Sequence, residues 1–138
     1  MVNISETANA YFLAAERCEE QKRISQNQVE WLLVPAVTNR AFSIELFLKA
    51  ILQNDGTSKY GHKLHELFND LKHERKTQII EETGLDSELF HKDLTKISNA
   101  FVEWRYLYEK EDIQIAWSFL QKLSNAVKKI FENYIKIS

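Results

Sequence analysis

One cysteine, one proline and three glycines serve a chain of 138 residues, and each shortage excludes something. A lone Cys18 rules out an intrachain disulfide and fits a reducing compartment. So few chain breakers favour long helices over many short strands. No apolar run approaches the length of a membrane span. The opening MVNISETANAYF has no basic segment ahead of an apolar one, so it does not read as a signal peptide. Lys and Arg total 18 against 20 Asp and Glu, a net charge of −2. No global field therefore draws in nucleic acid or an anionic membrane, and any nucleic-acid contact has to come from a local patch. Phosphate-cradling glycine loops, internal repeats and low-complexity segments are all missing. What remains is 44% hydrophobic and 28% charged. That suits a single domain over residues 1–138, soluble and expected in the cytoplasm.

The stretch that organises the rest is AVTNRAFSIELFLKAIL, residues 36–52. On a helical period Val37, Ala41, Ile44, Leu48, Ile51 and Leu52 share one wide arc, which Phe47 extends. An arc that broad predicts a helix touched from several sides. Glu45 and Lys49 lie beside it at i, i+4 with the acid first, the better order for a helical ion pair. They either span the edge of the core or face a cleft or partner.

The other segments fall into place around it. A first helix is predicted from about Ile4 to Lys22, with Asn3 and Glu6 as a capping box and Ile4, Ala8, Tyr11, Phe12, Ala15 and Cys18 as its stripe. Cys18 on that stripe reads as a small core residue. Ser25 with Gln28, and Ile24 with Val29, resemble the box and staple of a second helix running to about Gln53. Pro35 would kink or break that helix at residues 31–35. Asn54, Asp55 and Gly56 end it. After the polar loop NDGTSKYGH come Leu64, Leu67, Phe68 and Leu71, a helical stripe. A short helix follows to about Thr83, closed by Gly84. A longer one runs from Asp86 or Ser87 to about Glu109, with Phe90, Leu94, Ile97, Phe101, Trp104 and Tyr108 on a seven-residue rhythm. Beside that stripe runs a second line, Ser98, Val102, Arg105 and Glu109. The last helix, capped by Asp112, carries Ile113, Ala116, Trp117, Leu120, Leu123, Val127, Ile130, Tyr134 and Ile137. The expected fold is all-α, an up-and-down antiparallel bundle of five to six helices.

Few residues suggest chemistry. His62 and His65 are spaced to share a helix face, but no Cys or carboxylate completes a ligand set, so neither a metal nor a cofactor is expected. No nucleophile sits in a recognisable motif. The string WRYLYE, residues 104–109, sets Arg105 between aromatic rings. Its guanidinium could grip a phosphate or carboxylate through paired donors, or pair with Glu109 and stack on Tyr108 or Trp104.

The order of these pieces resembles the HEPN family of small prokaryotic helical-bundle domains: AFSIELFLKAIL with its embedded acid, then a polar loop and GHKLHEL, then FVEWRYLYE. The resemblance implies a compact all-α homodimer, often the toxin half of a toxin–antitoxin pair beside a nucleotidyltransferase-like partner. Active members resemble metal-independent ribonucleases in which an Arg, then four to six intervening residues, then a His, act in a cleft between two protomers. Arg105 matches the Arg, and Glu45 matches the acid near it. The histidine has no match, since Lys110, Glu111 and Asp112 occupy the next positions. The expectation is therefore a non-nucleolytic module binding a nucleotide, RNA or partner protein, its cleft lined by Arg105, Tyr106, Glu109, Glu45, Lys49 and Lys110. The alternative is a toxin-type ribonuclease pairing Arg105 with His62 as a substitute proton shuttle. A third is a purely structural interaction bundle.

Overall fold

The computed structural model describes residues 3–20, 22–25, 28–30, 32–57, 61–101 and 110–135. It is an all-α, up-and-down helical bundle with one small hairpin inserted. In chain order the elements are α1 (Ile4–Glu19), β1 (Lys22–Ser25), β2 (Gln28–Glu30), α2 (Leu33–Asn54), α3 (Leu64–Asn69), α4 (His73–Thr83), α5 (Ser87–Phe101) and α6 (Lys110–Tyr134).

Helix α2 is the centre. Eleven of its residues are buried, among them Ile44, Phe47, Leu48, Ile51 and Leu52, too many for one face. The helix is accordingly covered by α1, α6 and α3. Each large apolar side chain so buried contributes roughly 1.5–3 kcal/mol. The apolar stripe of α3 and the residue after it, Leu64, Leu67, Phe68 and Leu71, is buried as its spacing predicts. Phe68, Phe90 and Phe119 stack in sequence at centroid distances of 5.0 and 5.7 Å, joining α3 to α5 and α5 to α6. Lys129 reaches from α6 to Glu82 on α4 at 2.8 Å. That hydrogen bond holds the exposed ammonium above the usual lysine range.

The helix ends follow local chemistry. The Asn3 Oδ1 accepts from the Ser5 backbone N–H at 2.9 Å and so caps α1. Asp86 Oδ2 accepts from Leu89 N at 3.3 Å and caps α5. At the end of α2 the Thr57 N–H reaches the Leu52 carbonyl and the Gly56 N–H reaches Gln53, with Gly56 at φ 90°. That is a Schellman closure, which the Asn54-Asp55-Gly56 string foreshadows.

Three expected boundaries are corrected. Helix α1 stops at Glu19 rather than near Lys22. No helix begins at Ser25. Lys22–Ser25 and Gln28–Glu30 pair as antiparallel strands, Lys22 with Glu30 and Arg23 with Val29, with a bulge between Arg23 and Ser25. Pro35 therefore kinks nothing: it lies in the first turn of α2, where its missing N–H has no intrahelical acceptor to lose. Helix α6 begins at Lys110, ahead of the Asp112 cap expected from sequence. The expected extension of α5 through residues 102–109 lies outside the described residues.

Candidate functional site

Glu45 gathers the candidate site. On α2 it sits beside the buried arc, and its side chain is 14% exposed. One turn on, Lys49 donates to Glu45 Oε2 at 3.2 Å, as the i, i+4 spacing predicts. From the segment leading into α3, His62 brings its Nδ1 to the same oxygen at 3.1 Å. A carboxylate only accepts, so Nδ1–H is the donor, and in the neutral ring the lone pair then lies on Nε2. The His62 ring is 79% exposed. A largely buried acid thus orients an exposed imidazole next to an ammonium group.

The two spaced histidines take separate partners. His65 meets Ser98 on α5, its Nδ1 at 2.7 Å and its backbone N–H at 3.3 Å from the Ser98 Oγ. Ser98 is buried, and this contact fixes α3 against α5. Among the described residues no group of three or more His, Cys, Asp or Glu is placed to hold a metal ion, and no helix is long and apolar enough to cross a membrane.

Of the residues singled out in the sequence, Glu45, Lys49 and His62 come together. Arg105, Tyr106 and Glu109 lie outside the described residues, and of Lys110 only the backbone, at the start of α6, is described.

Arg40 is the residue that reading by motif missed. It is 2% exposed in the middle of the core arc of α2. Its Nε and Nη2 donate to the two oxygens of Glu19 on α1, at 2.8 and 2.6 Å. Its Nη1 donates to Ser124 at 2.9 Å and to Asn125 at 3.3 Å on α6. The guanidinium lies over the Phe12 ring at 4.5 Å, and Trp117 Nε1 donates to the same Glu19 at 2.7 Å. The available signal was an arginine falling on a helical arc otherwise apolar. Its partners, 21 and 84 residues away, leave no local trace.

The fold and the site define an all-α bundle whose central helix carries an acid that orients the histidine entering the next helix. The HEPN domain family matches residues 6–134, nearly the whole chain, and the protein belongs to it. At the level of that family it is a nucleotide- or RNA-related module. No curated protein and no solved structure matches the chain.

Proposed function

We propose that this chain is a nucleotide- or RNA-binding HEPN domain that works as a homodimer in the cytoplasm, within a toxin–antitoxin or defence system and opposite a nucleotidyltransferase-type antitoxin. The observation that carries the reading is the Glu45 cluster, which sets a cation and an imidazole side by side at the edge of the bundle. Sequence periodicity adds Arg105. It stands seven residues after Ser98 in the sequence, and Ser98 bonds His65, three residues from His62. Tyr106, Glu109 and Lys110, neighbours of Arg105 in the sequence, belong to the same reading. Arg105 offers a phosphate paired donors, and Lys110 adds positive charge that the net composition lacks, the charge of Lys49 being balanced by Glu45.

The position of His62 favours a second reading, a metal-independent ribonuclease. With Nδ1 committed to Glu45, Nε2 is free to take the proton of an RNA 2′-hydroxyl. The 2′-oxygen bonds to phosphorus, the P–O5′ bond breaks, and the leaving 5′-oxygen takes a proton from water. Arg105 stabilises the charge that builds on the phosphate.

One set of measurements separates the two. Wild type, Arg105→Ala and His62→Ala are compared for binding of a labelled single-stranded RNA at low salt and for release of 2′,3′-cyclic phosphate ends without added metal. The binding reading expects wild-type binding with no cleavage, and a loss of roughly 10- to 100-fold in affinity for Arg105→Ala, the value of charge-assisted bonds. Cleavage lost in both variants establishes the ribonuclease. Absence of binding and cleavage in the wild type, with all three proteins folded, leaves the structural-bundle alternative.

A further inference from the structure

Helix α3 is six residues long, and a helix below about a dozen residues is marginal in water unless something outside holds it. Burial of Leu64, Leu67 and Phe68 holds its apolar side. Its N-terminal end has no local support. The N-cap residue, Lys63, has the extended backbone of a cap but no side-chain oxygen to offer, and it makes no capping bond. The first N–H groups of a helix find no partner within it. A Ser, Thr, Asp or Asn at the N-cap ordinarily accepts from the second or third of them.

Ser98, on α5, does this from 33 residues away. Its Oγ accepts the N–H of His65, the second residue of α3, at 3.3 Å, which is the bond a local cap would make. The same oxygen lies 2.7 Å from His65 Nδ1. Among the described residues the Ser98 hydroxyl has no other partner, so its proton goes to Nδ1, which accepts it. Ser98 is 3% exposed, and water is largely kept from both bonds. The chain enters α3 through His62 and Lys63. Little packing steadies the His62 ring, which is 79% exposed. Its bond to Glu45 Oε2 forms only where the backbone presents the ring at that oxygen. We propose that Ser98 is a positioning residue for His62: by capping α3 from α5 it sets the start of that helix, and with it the reach of the His62 imidazole to Glu45. The inference rests on the reading of His62 as a residue of the RNA site and names what holds it there. Ser98, being buried, acts only through His65.

The readout is the tautomer of His62, followed by heteronuclear NMR of the ring nitrogens in the intact protein at about pH 8, above the ordinary histidine range; His62→Ala assigns the signal. Nδ1 donates to Glu45, so the wild type holds the Nδ1–H form. A ring released from that contact reverts toward the Nε2–H form that free imidazoles favour. Ser98→Ala is expected to move His62 to the Nε2–H form and to weaken RNA binding by about two- to tenfold, the range that one cap or hydrogen bond commands. Lys63→Ser supplies α3 with a cap of its own, and adding it to Ser98→Ala should restore the Nδ1–H form. A mere loss of packing at residue 98 would not be repaired that way. A wild type already in the Nε2–H form, a Ser98→Ala protein that keeps the Nδ1–H form, or a double variant that fails to recover it overturns the inference. RNA binding is scored separately. A wild type that neither binds nor cleaves RNA sinks the reading of the site, while the tautomer still decides the role of Ser98.

Discussion

At the scale of single residues, Arg40 is charged at every physiological pH and almost wholly withdrawn from water. Such a charge is tolerated only while its donors are engaged. Glu19 takes two of them and also accepts from Trp117. Removing one partner strands the other in the core. Glu19→Ala is expected to lower the unfolding free energy by about 3–5 kcal/mol, as for other broken buried pairs. Replacing both, Glu19→Leu with Arg40→Met, should recover most of that loss, because an apolar pair of similar size leaves no stranded charge. Urea melts of the three proteins check this; a double variant as unstable as the single one would show that the hydrogen bonds to Ser124 and Asn125, rather than the ion pair, carry the stability.

At the scale of elements, turn chemistry is the most legible part of the chain. Gly84 sits at φ 74° as the cap of α4, and a Cβ added there would meet nothing within 4 Å. The cost of Gly84→Ala is therefore conformational alone, about 1–2 kcal/mol, and a thermal melt of the variant should show that drop without loss of helix content. The second helix start was harder to read. Ser25 and Gln28 have the spacing of a capping box, yet Lys22–Ser25 and Gln28–Glu30 are paired strands. Short windows support both patterns, and β-branched Ile24 and Val29 suit a strand at least as well as a staple. The deciding residue was Pro35. Proline is at home in the first turn of a helix and disruptive within one, so it marks where α2 begins rather than where a longer helix bends.

For the whole molecule, the all-α bundle and its central helix were readable because the apolar arc over residues 36–52 is broader than any one-sided helix needs. The Glu45–Lys49 pair was readable from spacing alone. The arrival of His62 at the same oxygen was not, since it depends on where the loop after α2 returns. Nor was the Arg40 network, whose members come from three helices. The same architecture predicts how the protein opens. Helix α2, covered by α1, α6 and α3, should have the slowest-exchanging amides, which open only with global unfolding. The two-stranded hairpin, too small to be stable alone, should exchange far sooner. Hydrogen exchange read by mass spectrometry distinguishes them; equal protection would mean that the hairpin unfolds together with the core.

Cys18 gives this molecule a built-in reporter. It is the sole thiol in the sequence, half-buried near the end of α1 and touched at 3.8 Å by the side-chain amide of Asn39 on α2. Its neighbour Glu19 is the residue that clasps Arg40. A thiol-reactive dye therefore labels one known position, beside the joint that fastens α1 to the central helix, and its labelling rate becomes a clock for that joint coming undone.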